Sequence, residues 1–272
     1  MKFIEAVGSP PERRGEFPQV RKEAAMTKII AHRGYSEKYP ENTMLAFQKA
    51  VEAGCDGIEL DVQLSADGQP VIIHDENLKR TANRPGLVKD FTLRELQSFD
   101  AGNGFPASFG VQLIPSLREY FFFIRQKNVF TNIELKTGVI RYEGIEEKVI
   151  ALIREFGLTE KVLFSSFNHF SMLQCKQLAP EIRCALLTAS WQVGAGAYAR
   201  SLGMEFVNPF YSFLTEENIR ELREHGIGAQ AWTVNDEPVM EYLVRRDIFA
   251  VITNRPETLY RIRQNGKGEK IC

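Results

Sequence analysis

The chain has 272 residues, 44% hydrophobic and 25% charged, enough to bury a sizeable core as one domain or two small ones. A formal net charge of −1 gives no basic field for nucleic acid, and no apolar run is long enough to span a bilayer. Cys55, Cys175, Cys184 and Cys272 are too scattered for a zinc site or a disulfide framework and fit a reducing, cytoplasmic setting.

Residues 1–25 carry Ser9-Pro10-Pro11 and Arg13-Arg14 without sustained periodicity or the apolar stretch of a secretory signal. They read as a disordered extension, with Met26 as an alternative start. From there short apolar runs alternate with helix-period segments. Lys28–His32 is the first strand. Pro40-Glu41-Asn42-Thr43 opens a helix through about Ala53, with Asn42 as its N-cap and Gly54 ending it. The second strand is Gly57–Leu64, and Asp67-Gly68 turns it back into Val71–His74. Residues 77–115 break the rhythm and read as an insertion, with a short helical pattern at Thr92–Phe99. Helix 117–126 restores it. Strands 130–136, 162–165, 183–188, 206–207, 227–232 and 250–253 are then each followed by a helical segment, the last near 256–264. Residues 266–272, rich in Gly and Lys, read as a frayed tail. Setting the hairpin aside, eight strand-then-helix units require a parallel sheet. At this length they predict a closed (β/α)8 TIM barrel over 26–265, with a small insertion after the second strand. Gly194-Ala195-Gly196-Ala197 imitates a dinucleotide fingerprint but follows the fifth strand, with no first βαβ unit around it.

In the second strand Ile58, Leu60, Val62 and Leu64 share one face, so Glu59, Asp61 and Gln63 share the other. Paired carboxylates there suit either a solvated strand face or hard oxygen ligands for a cation. The neighbours favour the cation, because His32-Arg33 and His74-Asp75 also end short apolar runs. Asn132-Ile133-Glu134-Leu135-Lys136 repeats the pattern, with Glu134 and Lys136 on one face. Those two could form a simple ion pair. Three converging carboxylates would repel strongly without a cation, and an all-acid set fits one Mg2+ or Ca2+ better than zinc. His32 and His74 can exchange protons near neutral pH. Arg33 and Lys136 can hold phosphate oxygens, although Arg33 could also close a structural ion pair. Trp232 could wall a polyol pocket or belong to the core. His169 and His225 fall in helical or helix-end positions and are expected to face solvent.

His32-Arg33-Gly34, Pro40-Glu41-Asn42-Thr43, Glu59-Leu60-Asp61-Val62, His74-Asp75, Ile133-Glu134-Leu135-Lys136 and Ala231-Trp232-Thr233-Val234-Asn235 occur in this order. The set resembles the glycerophosphodiester phosphodiesterase family over about residues 27–262. The resemblance implies a TIM barrel with an insertion after the second strand. It also implies metal-dependent hydrolysis of glycerophosphodiesters to sn-glycerol 3-phosphate and an alcohol. It places Glu59, Asp61 and Glu134 as ligands of one divalent cation and His32 and His74 as the catalytic acid and base. Arg33 and Lys136 match phosphate contacts, and Trp232 a substrate-pocket position. One departure is Asn254, where the family usually has Asp; it lies outside the matched catalytic positions and is expected to alter a loop, not the chemistry. A lysophospholipase D or sphingomyelinase D-like activity on lipid phosphodiesters would need an apolar rim, for which Phe99, Phe105 and Phe109 are candidates unless they form the insertion's own core. A catalytically silent binding module would lack a His or an acid, and none is missing. The expected partner is a small-molecule diester, with no nucleic acid and no stable membrane insertion.

Overall fold

Eight parallel strands close on themselves in the computed structural model, which describes residues 26–265. They are β1 (Lys28–His32), β2 (Gly57–Leu64), β4 (Phe130–Leu135), β5 (Val162–Ser166), β6 (Arg183–Thr188), β7 (Phe206–Pro209), β8 (Gly228–Ala231) and β9 (Ala250–Thr253). Closure comes from β1, which pairs with both β2 and β9. A further strand, β3 (Pro70–Ile72), lies antiparallel on β2 with Val62 opposite Ile72. The turn between them needs Gly68, whose φ of +70° is open to glycine and strained for other residues. The expectations for residues 1–25 and 266–272 concern segments outside the described residues.

The helices form where apolar residues recur at helical spacing behind a cap. In α4 (Leu117–Ile124) the buried residues are Leu117, Tyr120, Phe121 and Ile124, a spacing of three, four and seven from the first. Ser116 and Glu119 close a capping box at its start. The first helix, α1 (Met44–Glu52), corrects one expectation: Thr43, not Asn42, is the N-cap, and its hydroxyl accepts from the Ala46 N–H. Asn42 instead takes a left-handed conformation (φ +56°), which turns its side chain away from the helix. The outer shell is completed by α5 (Ile145–Glu155), α6 (His169–Leu178), α7 (Ala195–Ser201), α8 (Glu216–Glu224), α9 (Glu237–Arg245) and α10 (Pro256–Asn265). The insertion carries α2 (Lys79–Ala82) and α3 (Leu93–Leu96). It has its own small core, in which Val71, Ile73, Leu78, Val88 and Leu96 pack with Phe91 and Phe99.

Strand alternation decides what faces the helices and what faces the barrel interior. Ile58, Leu60 and Val62 join the large core under the helices. Glu59, Asp61 and Gln63 therefore project inward. Lower in the interior, Ile30, Leu163, Ala185, Phe206 and Ile252 form a separate apolar cluster with Phe130 packed on it. Glycine makes room for these rings: a Cβ on Gly57 would sit 2.6 Å from the Phe130 ring, and one on Gly228 2.6 Å from Phe206.

Candidate active site

Parallel pairing sets the site at the carboxyl ends of the strands. Asp61 on β2 lies opposite Glu134 on β4, and His32 at the end of β1 lies opposite Glu59. Register thus brings Glu134, far along the chain, to Glu59 and Asp61. Each offers an oxygen within 4.8 Å of the others, and all three residues are buried. Lys136, just beyond β4, donates from Nζ to Glu134 Oε1 at 2.9 Å and stands 3.7 Å from Asp61 Oδ1. Arg33 bends the chain with a φ of +54°. That conformation gives its N–H to Glu59 Oε2 at 3.0 Å and sets its Nε 3.3 Å from Asp61 Oδ2. Its Nη1 donates to Glu41 Oε1 at 2.9 Å.

Charge is unevenly shared in this cluster. Burial, then the charges of Asp61 and Glu134, raises the Glu59 carboxyl well above the usual range. Burial and Asp61 likewise raise Glu134, although Lys136 opposes them. For Asp61 burial works against ionisation, yet Arg33 and Lys136 outweigh it and hold the carboxyl well below the usual range. Two basic groups are too few for three buried acids. Asp61 Oδ1 also has no hydrogen-bond partner among the described residues. Surplus negative charge and an orphaned carboxylate oxygen, in an all-oxygen donor set, fit a hard divalent cation.

Both expected histidines reach this end of the barrel, each held through Nδ1. His32 Nδ1 is 2.6 Å from Asn254 Oδ1, and its Nε2 is 3.9 Å from Glu59 Oε2. An amide oxygen can only accept, so Nδ1 carries the proton and Nε2 keeps a lone pair. Burial, reinforced by Arg33, lowers the His32 pKa to about 4, so the ring is neutral near pH 7. His74 Nδ1 gives its hydrogen bond to Asp75 Oδ1 at 2.6 Å. Arg80 in turn clamps Asp75 and Glu41, tying the start of the insertion to the loop after β1. Trp232 stands half-buried at the mouth, its Nε1 donating to the Asn208 carbonyl at 2.7 Å.

Three expectations change here. Asn254 reaches the site through its hydrogen bond with His32, because β9 ends beside β1 with Thr253 opposite Ala31. Asn42 serves Asp61, donating from Nδ2 to Oδ2 at 2.8 Å. His169 and His225 are not turned to solvent: both are half-buried, His169 between the Leu187 carbonyl and the Tyr198 hydroxyl, His225 against the Glu221 carbonyl of its own helix end. Two supporting groups escaped the sequence reading. Gln63 donates to the carbonyls of Ile73, His74 and Asp75, and its own carbonyl is held by Tyr142 at 2.8 Å. Its inward parity beside Glu59 and Asp61 was the available signal. Arg80 gave none, since a lone arginine in an insertion looks like any surface residue.

Known proteins resemble this chain in sequence and in fold. The model of the glycerophosphoryl diester phosphodiesterase family matches residues 32–258. A glycerophosphodiester phosphodiesterase of Caldanaerobacter subterraneus subsp. tengcongensis is 42% identical over 240 residues, covering 88% of this chain and 99% of that protein. Another, from Bacillus altitudinis, is 40% identical over 245 residues, covering 89% and 100%. An Oleispira antarctica phosphodiesterase solved with the product sn-glycerol-3-phosphate superposes with a TM-score of 0.79 at 31% identity, covering 89% of this chain and 98% of that one. The glycerophosphodiester phosphodiesterase of Thermotoga maritima gives 0.70 at 29% identity, covering 87% and 98%. On the strength of the matched span and these identities, the chain belongs to the glycerophosphoryl diester phosphodiesterase family.

Proposed function

We propose that this chain is a hydrolase that splits glycerophosphodiesters into sn-glycerol 3-phosphate and an alcohol, at the mouth of the barrel, with one divalent cation, Mg2+ or Ca2+. The observation that carries the reading is the convergence of Glu59, Asp61 and Glu134 beside Arg33 and Lys136. The product bound to the Oleispira antarctica relative supports the assigned product. The barrel over 26–265 would carry the activity, with 1–25 and 266–272 as appendages. The buried free thiols of Cys55, Cys175 and Cys184 support a reducing, cytoplasmic setting. Among the described residues no helix is long and apolar enough to cross a membrane.

Glu59, Asp61 and Glu134 would hold the cation, whose positive charge offsets that of the bound phosphate. Arg33 and Lys136 are already fixed by Asp61, Glu41 and Glu134, so their charges point into the site before substrate arrives. With Nδ1–H committed to Asn254, His32 takes a proton at Nε2 from the attacking oxygen, either of water or of the substrate's own glycerol hydroxyl, the latter giving a cyclic phosphate that water then opens to glycerol 3-phosphate. His74, oriented by Asp75, gives a proton to the departing alkoxide oxygen. Trp232 borders the glycerol or alcohol arm.

The test is a coupled assay for glycerol 3-phosphate over a panel of diesters, with and without a chelator. Release from several diesters that stops on chelation and returns with Mg2+ or Ca2+ is expected. Undiminished release after thorough chelation would remove the cation from the scheme, and no release from any diester would end the hydrolase reading.

A further inference from the structure

Arg80 belongs to the insertion, yet its side chain points back to the reaction site. Leu78 and Ala82, two residues to either side, sink into the insertion's own core. Residues two apart on a helix lie on nearly opposite sides, so the short helix α2 turns Arg80 away from that core. Asn103 fastens the backbone behind it, donating from Nδ2 to the Arg80 carbonyl at 2.8 Å. The insertion thus holds Arg80 from behind and leaves its guanidinium free to work in front.

The guanidinium uses two adjacent edges. Nε and Nη2 form one fork, donating to Asp75 Oδ2 at 2.6 Å and to Asp75 Oδ1 at 3.0 Å. Nη1 and Nη2 form the next, donating to Glu41 Oε2 and Oε1 at 2.7 Å each. Among side chains only a planar guanidinium offers two such forks at a fixed angle. Each carboxylate then continues to a residue of the reaction site. Glu41 Oε1 accepts from Arg33 Nη1 at 2.9 Å, and Asp75 Oδ1 accepts from His74 Nδ1 at 2.6 Å. Arg33 Nε in turn stands 3.3 Å from Asp61 Oδ2. A line of alternating charge therefore runs from the carboxylate cluster through Arg33, Glu41, Arg80 and Asp75 to His74.

We propose that Arg80 is a positioning residue, which locks the Asp75 carboxylate so that His74 presents its Nε2 proton to the departing oxygen. The inference rests on the hydrolase reading above and adds a residue to it. Asp75 Oδ1 is shared by His74 and Arg80, while Oδ2 is held by Arg80 Nε. Without the fork the carboxylate turns about its own side-chain bonds, and the imidazole that follows it loses its fixed direction. The ring has room to swing, because a cavity lined in part by Glu41, Asn42, His74 and Thr81 opens beside it. Proton transfer needs the donor within hydrogen-bond reach of the leaving oxygen, and a misplacement of about 1 Å costs about 10²-fold. Activation of the nucleophile does not pass through Arg80, since His32 is oriented by Asn254.

The experiment uses the full chain with Mg2+ and two substrates, the ethyl and the nitrophenyl diesters of glycerol 3-phosphate. Arg80→Ala should lower kcat by about 10²-fold on the ethyl diester, whose alkoxide needs the proton. It should leave nitrophenyl turnover nearly unchanged, because that leaving group departs without one. About half of the Arg80 side chain lies in solvent, so guanidinium ion can enter the gap left by the truncation. Millimolar guanidinium should therefore restore part of the ethyl rate to Arg80→Ala and none to Asp75→Asn, with sodium chloride as the control. Arg80→Lys keeps the charge without the two forks and should stay impaired on the ethyl diester; it carries the same comparison if the alanine variant does not fold. The double variant Arg80→Ala, Asp75→Asn should be no slower than Asp75→Asn alone, since both act on one line. Equal losses on the two substrates, full ethyl turnover in Arg80→Ala, or additive losses in the double variant overturn the inference and leave the hydrolase reading intact. No release from either diester by the native chain removes both.

Discussion

Replacing Asn254 tests the proposed base directly. In the structure Asn254 Oδ1 accepts from His32 Nδ1 at 2.6 Å, which keeps the lone pair on Nε2. Without that acceptor the competing tautomer, with the proton on Nε2, gains ground, because Glu59 Oε2 lies 3.9 Å from that atom. An unpaired buried donor costs about 1–3 kcal/mol. Converted at about 1.4 kcal/mol per ten-fold, Asn254→Ala should lower kcat by about 5- to 150-fold with KM little changed. The loss should be the same on a nitrophenyl diester, since the nucleophile must be activated whatever the leaving group. Asn254→Asp restores an acceptor and adds a negative charge, which favours the protonated ring. Burial and Arg33 hold the His32 pKa at about 4 in the native chain, so the base is lost only well below neutral pH. A carboxylate at 254 raises that pKa, and the acidic limb of kcat/KM should move up by roughly 1–3 pH units. Activity should then recover at alkaline pH for the Asp variant and at no pH for the Ala variant. The measurement is a pH–rate profile of all three proteins on both substrates. If Asn254→Ala keeps kcat within a factor of two, or if Asn254→Asp leaves the acidic limb where it was, the tautomer argument is wrong.

Other outcomes follow from the same geometry. Glu134→Ala should keep the fold by circular dichroism while weakening cation binding in calorimetry; unfolding with unchanged cation affinity would make the acid purely structural. His74→Ala should lose roughly 10²–10⁴-fold on an alkyl glycerophosphodiester and far less on the nitrophenyl diester, which needs no proton for its leaving group. If His32→Ala is instead the variant rescued by the good leaving group, the two roles are exchanged. Gly57→Ala places a Cβ 2.6 Å from the Phe130 ring inside the barrel. Overpacking of this kind costs about 1–3 kcal/mol, so Tm should fall by about 2–12 °C in a thermal scan. Removing residues 1–25 should change neither Tm nor turnover, since barrel closure begins at Lys28; a drop of many degrees would show that the segment packs on the barrel.

The architecture was legible in the sequence because the signal behind it is periodic and local. Eight apolar runs, each followed by a helix-period segment, leave few topologies open, and the right-handed crossover rule leaves fewer. Strand parity put Glu59 and Asp61 on the face opposite the apolar residues, the expected barrel turned that face and Glu134 inward, and acid-only composition pointed to a hard cation. What sequence could not decide was which side chains share hydrogen bonds once the barrel closes. Asn42 resembled a helix cap because capping chemistry is local, and only the left-handed turn at that position frees it for Asp61. Asn254 resembled a loop variation until closure of β9 on β1 brought it to His32, 222 residues away in the chain. The ring contacts that link Phe167, Trp232, Phe210, Phe213 and Trp191 are a case of the same kind, because these residues come from four separate strand ends that only the closed barrel places side by side.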